Sequence, residues 1–288
     1  MTEDRALTAA QRRVLDEVLG WGQDRPVVAP GLATDLRRTL ARSMASGLPP
    51  AAAGGSPHRI TAAALARTPG TGPPQGHDAA TVRGLLLSTA VADDLAGSHE
   101  GEVGAVIERA VGELATARSG DPASPSSWWN AAGPAQREAI RDEVATICSD
   151  LREVWPPLDP HQVVVTVRPR RSVQVPGRVV LEARPLLVLD SPRRDDRARA
   201  VVLVARTGMP RPGEDRLLAR ITALVETLHA GRPPFRWGVL HVTDGRLEVE
   251  EFDADVLLAA AATAGARVGT VLADAPARRR GPGGAGRR

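Results

Sequence analysis

Hydrophobic positions recur at one spacing in the first half of the chain and at another in the second. Thr8-Ala-Ala-Gln11 is a capping-box pattern, and Val14, Leu15, Val18 and Leu19 follow it at helical spacing. The same period predicts helices over Leu32–Met44 and Ala62–Ala66, near 80–95 and 102–117, and over Pro134–Val154. The stretches GLPPAAAGGSP and RTPGTGPPQGHD break the early helices apart, and WPPLDP ends the helical run. The period then changes. HQVVVTVRP, SVQVPGRVVLEA and RPLLVLDSP read as three strands, and the charged segment RRDDRAR as a hairpin-like link to a fourth, AVVLVAR. Leu217, Leu218, Ile221, Leu224, Val225 and Leu228 form one helical stripe, closed by Gly231 at a C-cap position. Two more strands, FRWGVLHVTDG and RLEVEEF, precede an Ala-rich helix from near 253 to about 272.

This order predicts an α/β protein: a mixed sheet core flanked by helices, with an N-terminal helical region over 1–155, the core over 156–275, and an Arg/Gly-rich tail over 276–288. Residues 161–206 are expected to be consecutive strands of one sheet. Strand 200–206 takes the centre, because it is almost wholly apolar, and helix 214–230 packs on it.

Composition narrows the chemistry. There is no Lys, so all 37 basic residues are Arg, which excludes any mechanism built on a Lys amine. Tyr is absent and aromatics are 2%, so the core must come from Leu, Val, Ile and Ala. The single Cys148 can form neither an internal disulfide nor a Cys-rich metal site. The N-terminus lacks a signal-peptide core and no apolar run approaches a membrane span, so a cytoplasmic protein without membrane contact is expected. The six His residues have no metal-ligand spacing among them; His229 sits where a helix C-terminus favours positive charge. Trp128-Trp129 reads as a loop anchor in preference to a base-stacking platform, and Trp237 as core. Charge is uneven: residues 1–150 hold 14 Arg and 18 acids, residues 151–288 hold 23 Arg and 16 acids. Within 168–211 there are 11 Arg and 4 acids, a weak signal for phosphate contact.

Four segments in order carry a resemblance. They are RGLLLSTAV (83–91), LEARPLLVLDSP (181–192), VVLVARTG (201–208) and ARITALVETLHAGRPPFRWGVLHVTDG (219–245). Together they resemble the RecB-type branch of the PD-(D/E)XK nuclease superfamily, over roughly residues 80–260. The resemblance implies a restriction-endonuclease-like fold, and a site of two carboxylates on adjacent strands that hold a divalent cation. It also implies a Lys two residues after the second acid, a His on the upstream helix and a Tyr on the later helix. In this chain those positions fall on Leu186 and Val204 for the acids, Arg206 for the Lys, Ser88 for the His and Thr222 for the Tyr, with Asp190 at a following glycine position.

The resemblance therefore implies a catalytically inactive homologue that acts by binding nucleic acid or a protein partner, such as DNA or a DNA-processing protein, with no cofactor. Arg184, Arg206 and Arg211 are its nucleic-acid-binding candidates. Leu186 and Val204 are expected to be buried neighbours. The alternative is a Mg²⁺-dependent DNA nuclease with a displaced site, drawing on Glu182, Asp190, Asp195 and Asp196. Glu182 and Asp190 would share a face if their strand were unbroken. A third reading is a structural relic of the fold with another role.

Overall fold

A computed structural model describes residues 7–20, 23–45, 57–68, 78–97, 101–117, 124–159, 161–190, 198 and 200–274. The first helix, α1 (Ala9–Val14), begins as its capping box predicts. The Gln11 N–H donates to Thr8 Oγ1 and the Thr8 N–H donates to Gln11 Oε1. The Gln11 amide also donates to the Arg152 and Trp155 carbonyls, which ties α1 to the end of a later helix. The chain goes on through a wide turn over Leu15–Leu19, then α2 (Leu32–Met44), β1 (His58–Thr61) and α3 (Ala62–Ala66). Four helices follow: α4 (Ala79–Ala96), α5 (Val103–Thr116), α6 (Pro125–Ala131) and α7 (Pro134–Val154). The second half holds β2 (Val164–Val167), β3 (Arg171–Val175), β4 (Val179–Ala183), β5 (Leu187–Asp190), β6 (Val201–Arg206), α8 (Pro212–Ala230), β7 (Arg236–His241), β8 (Arg246–Glu251) and α9 (Ala254–Asp274).

The fold is α/β, with mixed sheets flanked by helices. The larger sheet has the order β2-β5-β6-β7-β8. Only β6 and β7 run parallel, because α8 carries the chain back across the sheet between them. β6 is central, as its apolar run predicts, and α8 packs on it.

One expectation is corrected. Residues 161–206 do not form one sheet. SVQVPGRVVLEA is a hairpin, β3 and β4, turned at Pro176-Gly177-Arg178, where Gly177 and Arg178 both take left-handed φ of 72° and 58°. These two strands and β1 make a separate three-stranded sheet of order β1-β4-β3. β1 pairs parallel to β4 through four residues, too few to reveal a period of two in the sequence.

The two sheets create two cores. On one face of the larger sheet, Leu187, Leu189, Val201, Leu203 and Leu240 pack with buried residues of α4–α7, such as Leu86, Ile107 and Val144. On the other face, Val188, Val202, Val204, Trp237 and Val239 pack with α2, α8 and α9, and the smaller sheet closes that core with Ile60, Val173, Leu181 and Ala183. The helix α9 is 21 residues long and apolar enough, by length and composition, to cross a membrane, contrary to the expectation that no run approaches that length. Its many Ala and few charges produce that hydropathy. Here its Leu257, Ala261, Ala264 and Val268 belong to the second core, against α2. Gly265 permits the close approach, since a Cβ there would lie 2.8 Å from the Leu40 carbonyl oxygen of α2.

Candidate functional site

β6 ends at the corner that the resemblance singles out. Period two places Val202, Val204 and Arg206 on one face, toward α8. Val202 and Val204 are buried. Arg206, at the strand end, is turned inward: its Nε donates to the Met209 carbonyl at 3.0 Å and lies 3.3 Å from Asp215 Oδ1. Asp215 is only 1% exposed and sits in the first turn of α8, where the helix favours a negative charge. Its other oxygen accepts the Arg211 backbone N–H at 2.6 Å. Beside it, Glu214 accepts from the Thr68 hydroxyl at 2.7 Å and the Thr68 N–H at 2.9 Å, and from the Arg211 guanidinium at 3.2 Å. Those donors, Thr68 foremost, hold the Glu214 carboxyl down at about 2. The corner is therefore a closed net that ties the loop after β6 to the start of α8.

The other family positions are distributed differently from the expected cluster. Thr222, on α8, is buried on the same side as Val204. Leu186 and Val204 are both buried but belong to opposite cores, so the expected packing of one on the other is corrected. The reason is local. Leu187 is paired with Leu203, and the Leu186 N–H also donates to the Leu203 carbonyl at 2.7 Å. Two residues thus share one partner and alternation is lost, which leaves Leu186 on the side of Leu187. Ser88, on α4, donates to the Leu85 carbonyl. That helix packs on the side of Leu186, and its first turns touch the corner. There Arg83 donates to the Thr207 carbonyl, and a Cβ on Gly84 would lie 2.8 Å from Thr207 Oγ1.

Of the acids offered for a displaced site, the two among the described residues, Glu182 and Asp190, do not meet. Glu182 is in the smaller sheet and Asp190 in the larger one, so the unbroken strand that would have aligned them does not exist. Glu182 is buried beneath two guanidiniums, those of Arg59 and Arg170, the latter at 2.8 Å. Burial alone would raise its pKa, but hydrogen bonds from Arg170 and Arg59 outweigh burial and hold the carboxyl below its usual value. Among the described residues no group of three or more His, Cys, Asp and Glu could hold a metal ion. Asp195 and Asp196, with His77, His99 and the tail over 276–288, lie outside the described residues.

Of the nucleic-acid candidates, Arg206 is engaged as described and Arg211 pairs with Glu214. Arg184 is exposed, just past β4. Sequence reasoning missed two residues. His241, at the end of β7, is 2% exposed, lies opposite Arg206 in the strand register, and has Nε2 3.3 Å from Glu248 Oε1. Arg59, on β1, is brought to Glu182 by a parallel pairing that spans more than a hundred residues of chain. No local signal could have located it.

Other reactive groups are accounted for by packing. Cys148 is fully buried, and burial pushes its thiol up to about 12, which removes it as a nucleophile. Trp129 is buried, in keeping with an anchor, and the Trp237 indole donates to Glu250 at 2.9 Å. A groove of about 330 Å³ runs between α4, α5 and α6, with Leu85, Leu114 and Arg168 in its walls. Arg168 is spanned there by Thr89, Asp93 and Glu113, so its charge is already matched. In a comparison with known proteins, the chain matches no family model and no curated protein.

Proposed function

We propose that this chain is a nuclease-like protein of the PD-(D/E)XK type that acts by binding and not by cutting, with nucleic acid as its ligand. The observation that carries the reading is the inward closure of Arg206 onto Asp215 and the Met209 carbonyl, beside a Val204 packed in the core. Phosphodiester hydrolysis in such a site needs a cation held by carboxylates, to activate water and to stabilise charge on the phosphoryl group. The two positions that would supply them hold Leu186 and Val204, whose side chains carry no oxygen. The mixed sheet with its single parallel pair and the α8 crossover agrees with a restriction-endonuclease-like core. The excess of Arg over acids in the second half agrees with a polyanionic ligand.

The test is a cleavage assay on single- and double-stranded DNA with Mg²⁺ or Mn²⁺, with and without EDTA. No EDTA-sensitive cleavage is expected. Cleavage abolished both by EDTA and by Asp190→Asn would place a working metal site near β5 and overturn the inactive reading.

A further inference from the structure

We infer that the outer face of the three-stranded sheet is a contact surface for the phosphate backbone of double-stranded nucleic acid; this rests on the binding reading above and gives it a location. One side of that sheet is spent on the second core, through Ile60, Val173, Val175, Val179, Leu181 and Ala183. The register leaves the other side outward. Arg59 lies across from Val180, and Val180 from Gln174; Thr61 lies across from Glu182, and Glu182 from Ser172. Arg59, Thr61, Ser172 and Gln174 are exposed.

The charge on this face is one-sided. Glu182 is its one acid among these positions, and it is claimed by both Arg59 and Arg170, whose side chains stay 54% and 53% exposed. One carboxylate cannot neutralise two guanidiniums, and each keeps N–H groups turned to solvent. Arg178, in the β3–β4 turn, and Arg184, past the other end of β4, are exposed and have no partner among the described residues. Four guanidiniums against one carboxylate leave a net positive face, with hydroxyl and amide groups between the charges. Arg178 and Arg184 are six residues apart along an extended strand, a span of roughly 20 Å. Duplex DNA carries one charge per about 3.4 Å of axis on each strand, so that span meets several phosphates at once.

The chemistry of the face selects among polyanions. Arg, Ser, Thr and Gln are the side chains that meet phosphate and sugar oxygens. A peptide partner would need an apolar anchor pocket, and Val180 is the only apolar side chain on this side of the three strands. Binding of single strands relies on aromatic stacking, and no Phe, Tyr or Trp lies on β1, β3 or β4; the His58 imidazole is in register with the core residue Val179 and so lies off this face. The contact is thus to the backbone of a duplex, with little sequence preference.

The experiment measures binding of a labelled duplex and a single strand of equal length by fluorescence anisotropy across a salt series. Full-length protein is used, so the tail arginines are the same in every variant. Arg178→Glu/Arg184→Glu alters two exposed side chains with no partner among the described residues and should leave the melting temperature unchanged. It should weaken duplex binding at least about tenfold at low salt and flatten the salt slope by about two. Arg12→Glu/Arg42→Glu carries the same charge change on distant helices and should have a much smaller effect. Glu182→Gln keeps acceptors for both Arg residues while removing the negative charge, so it should tighten binding several-fold. If wild type fails to bind duplex at all, the binding reading falls and this surface with it. If wild type binds and the Arg178/Arg184 variant binds equally well, the surface alone is overturned. If poly-glutamate competes as well as duplex at equal charge, the ligand class is wrong and an acidic protein takes its place.

Discussion

Of the places where arginine lies over a buried acid, the β6 corner and the smaller sheet end in opposite states. At the β6 corner, Asp215 is almost fully enclosed and Arg206, 26% exposed, is folded down onto it and onto the Met209 carbonyl. On the smaller sheet, Glu182 is equally enclosed, but two Arg residues share it and both remain more than half exposed. Both set guanidinium against carboxylate. What differs is the ratio of guanidinium to carboxylate and the number of protein carbonyls within reach. A guanidinium matched one-to-one with a buried carboxylate has its charge balanced; two that share one carboxylate leave net positive charge at the surface.

The sharpest way to break that comparison is to return an acid to the corner. Val204→Asp places a carboxylate in the second core, where its neighbours are apolar. A loss of about 3–5 kcal/mol in urea unfolding is expected. A variant as stable as wild type would mean that Arg206 can leave Asp215 to pair with it and that the corner is less closed than described. Next in size is a matched pair of neutralisations. Asp215→Asn removes the charge that receives both Arg206 and the Arg211 N–H, at an expected cost of about 2 kcal/mol. Glu182→Gln, beneath two water-accessible guanidiniums, should cost less than about 1 kcal/mol. Equal losses in the two variants would erase the distinction between corner and face.

A further effect is expected in acid. The folded-state carboxyl of Glu214 lies at about 2, against an ordinary value of 4.5. A depressed pKa contributes stability that is fully present above about 4.5 and is lost as pH falls toward 2. In Glu214→Gln that contribution is absent at every pH, so its urea midpoint should fall less steeply than wild type between these limits. The gap between the two should be of order 1–2 kcal/mol near neutral pH, given the partial exposure of the pair with Arg211. Parallel midpoints across that window would show that Thr68 does not hold the carboxylate in solution.

Local patterns carried much of the architecture. The capping box at Thr8, the stripe from Leu217 to Leu228 and the apolar run of β6 were all legible, because each is decided by neighbours a few residues away. The hairpin inside SVQVPGRVVLEA reads in sequence as one strand even though Pro176-Gly177 is a turn signal, since alternation of apolar residues persists on both sides of it. The candidate site was less legible still. Arg206 was named from its place two residues after Val204, but Asp215, which decides what Arg206 does, reads in sequence as an ordinary acid in a first helical turn.

By itself the sequence determined most of the helices and the strands of the larger sheet, that β6 is buried on both faces, and that no Lys-based chemistry is available. These follow from side-chain period and residue type, which act over one or two turns of chain. Only the tertiary structure decided that the strands divide between two sheets, that Leu186 and Val204 face opposite cores, and that Arg59 and Arg170 converge on Glu182. Such outcomes depend on pairings between segments far apart in the chain, and a shift of one residue in register turns a side chain from one face of a sheet to the other.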